Sequence, residues 1–469
     1  MSDVSRGAKW GELFSPDALP KFALVMLGTW LTAADTLVTI TMMPTIAREI
    51  GGFHWFGWTV AAFVLGSILA GATSGRLAMQ VGLRNALLAG GLVYAVGCGL
   101  SALAPDIGLF LLGRAIQGMG GGWTSGLCYV AVTALFEQRF WARVLSALAG
   151  AWGVATLVSP FIGGVFAEIG QWRLGFWLFA AQGLLFMAIS WVLVREGVAT
   201  EPAEGRTPWV QILVLAAAIA AIAGAGVVPG PLAMAALAIG GVVLFGLFLV
   251  LDARAVGRLL PFRTTDLSSA EGLGLFTVFA FCAATVGFNT YGPAMMQALH
   301  GASPVVAGYV MVTEAMAWTV MAFVVSGVKP EKGALPVRLG AVLLCAGFIA
   351  VCWVTPHGPL WAIALAASVQ GSGFGLMWAI ISSRIVAGAL ATERALASSA
   401  IPTLQLVGNA VGAAGCALVA NGLGLADQLG SQRARTEGLW LYAVFIPVAL
   451  AGLATAWKLA DRKYAPTDP

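Results

Sequence analysis

Long apolar runs alternate along this chain with short polar connections rich in Lys and Arg. Apolar runs of about 20 residues have the length a helix needs to cross the hydrocarbon core of a bilayer, and they indicate helices rather than alternating strands. The pattern predicts helices at 22–47, 56–80, 84–104, 107–136, 143–169 and 173–194, then a pair at 209–228 and 231–251. A second series follows at 271–299, 304–327, 338–354, 359–383, 395–421 and 438–458, for 14 spans in all. A 12-span reading would require the pair 209–228 and 231–251 to be buried or interfacial. The absence of any charge between Gln211 and Leu251 argues against it.

The chain also repeats itself weakly. Gln117-Gly118-Met119-Gly120-Gly121-Gly122 returns as Gln370-Gly371-Ser372-Gly373-Phe374-Gly375, and each is followed by a charged turn, Glu137 to Arg143 and Arg384 to Arg394. Two homologous six-helix halves with a helix pair inserted between them account for this. The expected organisation is an N-terminal segment 1–21, a first half 22–194, a linker 195–263 carrying the two extra helices, a second half 264–458 and a tail 459–469. Transporters built as parallel repeats bind substrate between their halves and alternate access by rocking.

Composition agrees with a polytopic membrane protein of all-α class. Of 469 residues 59% are hydrophobic and 10% charged, whereas soluble domains carry about a quarter of their residues as charges. With the N-terminus inside, the inner segments hold most of the Lys and Arg, from Arg6 to Lys463, while the outer loops hold only Arg48, Arg173, Arg433 and Arg435. That bias predicts both termini cytoplasmic, and the expected location is the plasma membrane, a bacterial inner membrane, as a multi-pass protein. The net charge of +4 is therefore a topology signal and points to no nucleic acid. Met1 to Pro20 is polar, without a cleavable signal pattern.

Several chemistries are disfavoured. The six cysteines fall inside predicted spans without metal-ligand spacing and read as packing residues. His54, His300 and His357 stand singly in outer loops, against a metal centre or a histidine-based triad. No Gly-Lys-Ser or Gly-Lys-Thr follows the glycine runs, so nucleotide hydrolysis is not the expected energy source. With no paired catalytic constellation, the chain is not expected to be an enzyme.

What stands out instead is Asp35, alone in the first apolar run. A charge there costs about 2.5–3.5 kcal/mol on insertion scales, which marks it as a protonatable or ion-pairing site on a transport path, or else as a charge that ties two helices together. Arg114 precedes the first glycine run, and Ala367 takes its place in the second. At about 1.5 Å rise per residue the backbones of Asp35 and Arg114 differ in depth by roughly 8–9 Å, leaving a direct or a water-bridged pair open. Glu314 is the second intramembrane acid. It reads either as a cavity residue, with Trp318 beside it to host a cation, or as a carboxyl bonded to a neighbouring helix. Gln117, Gln370, Gln405 and Asn409 are interhelical glue or ligands. Trp30 and Trp318 are candidate cavity walls, with core packing as the rival role. Trp55, Trp58, Trp172, Trp177, Trp209 and Trp440 sit near span ends as interfacial anchors do. Glu271, Asp266, Glu137 and Glu168 lie at helix ends, where solvated or snorkelling roles are expected.

At these residues the sequence resembles the major facilitator superfamily, and within it the 14-span drug/proton antiporter branch. Asp35-Thr36-Leu37-Val38 running to Pro44 matches the first-helix signature, and Arg114-Ala115-Ile116-Gln117-Gly118 the fourth-helix one. The loop signature appears as Gly75-Arg76-Leu77-Ala78-Met79-Gln80-Val81-Gly82-Leu83-Arg84, with Met79 where the pattern has aspartate. Ala155, Ser159, Pro160, Gly163 and Gly164 resemble the fifth-helix antiporter signature. Tyr291-Gly292-Pro293, Gln297, Gly301, Ser303-Pro304 and Gly308 look like the seventh-helix pattern and the loop after it.

The resemblance implies a major facilitator fold, proton coupling through Asp35 and Arg114, and conformational roles for Gly75, Gly82, Arg84, Pro160, Gly163 and Gly164. A low-dielectric site favours a neutral carboxyl and a nearby arginine a charged one, a balance that rocking helices can shift. The expected function is proton-coupled export of small hydrophobic or amphipathic compounds, cationic ones included, without a cofactor beyond the proton gradient, by a monomer in the lipid bilayer. Two alternatives stand beside it: a carrier for one metabolite or lipid, and a transporter-like structural or sensing subunit without flux.

Overall fold

The computed structural model describes residues 10–71, 73–196, 208–228, 230–255, 257–325, 328, 332–390, 393–425 and 431–462. Arg6, Lys9, Arg206, Lys329 and Lys463, part of the predicted inner charge, lie outside the described residues. The helices are α1 (Leu19–Ile50), α2 (Phe56–Gly71), α3 (Ser74–Leu103), α4 (Ile107–Leu135), α5 (Gln138–Glu168), α6 (Trp172–Leu193), α7 (Trp209–Ala225) and α8 (Pro231–Arg254). After them come α9 (Ala270–His300), α10 (Pro304–Val325), α11 (Ala334–His357), α12 (Leu360–Gly388), α13 (Arg394–Gly422) and α14 (Gln432–Asp461). Among the described residues 12 helices are long and apolar enough to cross a membrane. The other two are α4, where Arg114, Gln117 and the glycine run dilute the apolar residues, and α7, which is short.

Several helices outrun their apolar stretches. α3 starts at Ser74, ten residues before its predicted start, because the polar loop reading of Gly75–Leu83 is helical apart from Gly82, whose φ of 81° kinks the helix. Only glycine takes that conformation without a steric cost, so the signature's second glycine marks the joint. α14 starts at Gln432 and breaks between Ala443 and Ile446, where Pro447 opens the new segment without an N–H to continue the old one. His300 and His357 are the last residues of α9 and α11 rather than loop residues.

Two compact units result. The first comprises residues 1–52 and 62–207, the second residues 53–61 and 208–469, so α7 and α8 group with the second and the start of α2 does too. In the first unit α1 packs on α4, α5 and α6, while α3 packs on α4 and α6. In the second unit α9 packs on α12, α13 and α14, while α11 packs on α12 and α14, the same arrangement repeated. The inserted α7 lies between α8 and α13, and α8 leaves Leu232, Ile239, Val242 and Val243 exposed.

The glycine repeat explains the shared architecture. A Cβ on Gly118 or Gly122 would strike the α2 backbone at Phe63 and Ser67, and one on Gly120 the α3 backbone at Tyr94. Gly371 and Gly375 are pressed in the same way on Glu314 and Trp318 of α10, and Gly373 on Gly340 and Leu344 of α11. Small residues let helices in a membrane approach this closely.

A second repeated device is a clasp at one end of each unit. Arg84 of α3 lies 3.8 Å over the Trp191 ring of α6 and 2.6 Å from Glu196. Arg338 of α11 lies 5.3 Å over the Trp457 ring of α14 and pairs with Asp461. At the opposite end of the first unit Trp172 is a core residue, not an interfacial anchor. It is fully buried against Phe110 and Phe176, and its Nε1 donates to Glu49 at 2.6 Å.

Candidate functional site

Asp35 points from the middle of α1 toward α4 and is completely buried. Arg114 Nη1 donates to its Oδ2 at 2.8 Å, which settles the open alternative in favour of a direct pair. One helical turn beyond Arg114, Gln117 Nε2 donates to Asp35 Oδ1 at 2.8 Å, while Gln117 Oε1 accepts from Arg114 Nη1, also at 2.8 Å. The three side chains form a closed ring of hydrogen bonds among one carboxylate, one guanidinium and one amide.

Around the ring stand partners that spacing alone did not single out. Thr39, one turn along α1, donates to Asp35 Oδ1 at 3.3 Å. Cys98 of α3, read as packing, receives the second Gln117 amide contact at 3.0 Å. Tyr94 reaches across from α3 to Leu31 O at 3.0 Å. The Phe63 ring of α2 lies 4.4 Å under the Arg114 guanidinium, a cation–π contact. Arg114 Nε has no hydrogen-bond partner. A buried pair leaves little room for error, since an ion without its partner costs several kcal/mol.

In the second unit, Gln370 holds the place of Gln117. Its Nε2 donates to Glu314 Oε1 at 2.8 Å. The packing fixes the correspondence: Gly97 lies against the Gln117 backbone as Gly347 lies against that of Gln370. By the same measure Glu314 occupies the place of Phe63. The Asn289 side chain of α9 is the carboxylate's second partner. Among the described residues its side-chain partners are Gln370 and Asn289, and Ala367 stands where the first unit has Arg114. One turn down both helices Trp318 stacks on Phe374 with centroids 4.8 Å apart, and Trp378 lies 5.4 Å from Trp318.

The remaining predicted residues distribute around these two clusters. Trp30 is half-buried and donates to Gln182 Oε1 of α6 at 3.2 Å. Gln405 and Asn409 are half-buried on α13, outside the hydrogen bonds of Glu314. Pro160 lies within α5, and three residues on a Cβ at Gly163 would fall 2.7 Å from Val38 O of α1, with Gly164 buried beside it. All six cysteines are free and buried. Among the described residues no group of three or more His, Cys, Asp or Glu side chains is arranged to hold a metal ion.

Against known proteins, the profile of the Major Facilitator Superfamily matches residues 25–413. A Mycobacterium tuberculosis protein described as a probable multidrug-efflux transporter is 28% identical over 477 residues, covering 98% of either chain. An uncharacterized MFS-type transporter of the same organism is 25% identical over 412 residues, 84% of this chain and 58% of that one. Among solved structures, a POT peptide transporter in complex with sulfate aligns with a TM-score of 0.68 at 16% identity, over 94% of both chains. A bacterial homolog of the human lysosomal transporter Spinster aligns with a TM-score of 0.67 at 14% identity, over 97% of this chain and 100% of that one. At such identities the two structures speak for the fold.

Proposed function

This chain belongs to the Major Facilitator Superfamily and is a multi-pass membrane transporter, and we propose that it exports hydrophobic or amphipathic compounds, organic cations among them, in exchange for protons. The reading includes α4 and α7 among 14 spans, with both termini cytoplasmic in a bacterial inner membrane. Asp35 and Arg114 carry proton coupling. Glu314, Gln370, Trp318 and Gln117 serve the substrate path, with Trp30, Gln405 and Asn409 on its walls.

The observation that carries this reading is the buried ring of Asp35, Arg114 and Gln117. Intramembrane ionisable groups are costly and are kept where charge moves or binds. Protonating Asp35 removes the attraction that holds Arg114 and so changes the contact between α1 and α4. Glu314, lacking a cationic neighbour on its amide partners and adjoining stacked aromatics, suits an organic cation. Similarity to a probable multidrug-efflux transporter along nearly the whole chain favours the same substrate class.

The test uses purified protein in proteoliposomes with an imposed pH gradient. Proton counterflow is recorded on adding lipophilic cations and neutral amphiphiles, for wild type, Asp35→Asn and Glu314→Gln. Compound-triggered proton movement that Asp35→Asn abolishes supports exchange. No response to any compound, with an unchanged variant, overturns it.

A further inference from the structure

Another buried carboxylate, Glu271, has no part in the transport reading. It lies in the first turn of α9, two residues after the N-cap Ser269, with no exposed surface. The sequence leads to a solvated or snorkelling helix-end acid, and the burial of its side chain corrects that. Unlike Asp35 and Glu314, it has neither oxygen in a hydrogen bond.

The connection Gly257–Ser269 packs against the first turn of α9 beside it. The carbonyls of Arg263 and Asp266 press on Gly272, where a Cβ would collide with both, while Gly388 of α12 closes on Ala270 and on the Glu271 N–H from the other side. This strap is anchored mainly by the inserted helix pair. Gln211, at the start of α7, donates to Gly257 O at 3.3 Å, and Asp252, at the end of α8, accepts from the N–H groups of Leu259 and Leu260 at 2.8 and 2.9 Å. Glu393, just before α13, accepts from Arg258 Nη1 and from the Phe262 N–H, both at 3.2 Å.

The charged groups facing Glu271 are Arg263 on the strap and Glu393, whose own charge is matched by Arg258. Asp266, also on the strap, is exposed and bonded to Ser268. A carboxylate enclosed without a donor is far costlier than the neutral acid.

We propose that Glu271 is a proton-binding site enclosed by the strap Gly257–Ser269, that loss of the proton drives its carboxylate out toward Arg263 and frees the strap, and that the inserted helices α7 and α8 hold the strap in place. This gives the inserted pair a task, and it does not depend on what the protein transports.

The test uses the full chain in nanodiscs of phosphatidylethanolamine and phosphatidylglycerol, and needs no substrate. Infrared difference spectra against pH are expected to show a protonated-carboxyl band that vanishes as pH rises, a component of which is lost in Glu271→Gln. Hydrogen exchange of Gly257–Ser269, corrected for its intrinsic pH dependence, is expected to quicken over the same interval in the wild type and to stay slow in Glu271→Gln. Asp252→Ala is expected to quicken it at every pH. Identical spectra for wild type and Glu271→Gln, or strap exchange with the same pH profile in both, overturns the site. A strap indifferent to Asp252→Ala overturns the role of the inserted pair. Should Glu271→Gln fail to fold, Arg263→Gln, a change at an exposed side chain, is expected to preserve the band to higher pH, and an unmoved band overturns the proposal.

Discussion

Gln117 and Gln370 occupy equivalent places in the two halves, and each donates its amide Nε2 to a buried carboxylate at 2.8 Å. The carboxylates come from non-equivalent helices, α1 for Asp35 and α10 for Glu314. The repeat has thus kept the amide and exchanged what it holds.

The two amides differ in load. Gln117 serves Asp35, Arg114 and Cys98, whereas Gln370 serves Glu314 and leaves its own Oε1 unpaired. Gln117→Leu is expected to destabilise by about 1.5–3 kcal/mol, the range for a lost hydrogen bond to a charged group. Gln370→Leu is expected to cost less, because it also removes an unsatisfied carbonyl. Thermal unfolding of both variants in one detergent gives the order.

Asp35→Asn leaves a buried guanidinium without its counter-charge, and about 3–5 kcal/mol of stability is expected to be lost. Adding Arg114→Gln should restore part of it. A double-mutant cycle measures the coupling, and strictly additive effects would show that the pair does not act as one.

Much of this was legible beforehand. Asp35, Arg114 and the glycine repeat could be read because a charge or a glycine run is conspicuous in an apolar background. Thr39 was within reach too, since one turn along a helix brings it beside Asp35. Tyr94, Cys98, Phe63 and Asn289 were not, because each reaches its cluster from another helix and none looks unusual in its own span. Glu271 was misread for a related reason: sequence places a residue at a helix end but does not show what folds over that end.

The glycine contacts predict a sharp contrast. Gly118→Ala would drive a methyl into the Phe63 carbonyl and Gly371→Ala into that of Glu314, and overpacking of this kind costs typically 1–3 kcal/mol. Gly240→Ala in α8 meets nothing within 4 Å and is expected to stabilise by up to about 1 kcal/mol through helix propensity. Melting temperatures of the three variants test the contrast.

The two clasps should be interchangeable in strength only in part. Arg84 sits 3.8 Å over Trp191 and Arg338 5.3 Å over Trp457. Cation–π contacts at such sites contribute about 0.5–1 kcal/mol, so Trp191→Leu is expected to lower the melting temperature more than Trp457→Leu.

On the strap, the Ser268 hydroxyl and then its N–H hold the carboxyl of Asp266 below the usual carboxylate range. The sign follows directly: this contribution is present above the unfolded-state value and is lost as pH falls through the lower native one. Asp266→Ala is expected to match the wild type in strong acid and to fall below it toward neutral pH in unfolding midpoints measured across that range.

The uneven pairing of the two acids also has an electrical consequence. While Asp35 is ionised it travels with Arg114, and a neutral pair moved through the membrane potential does no net work. Glu314 has no such companion, so while ionised its displacement is worth about 2.3 kcal/mol per 100 mV for a full crossing. With both carboxylates ionised, voltage therefore acts on the second of these two clusters and is expected to change the rate of steps in which Glu314 changes depth; once Asp35 is protonated, Arg114 is left with a net charge and the first cluster responds as well.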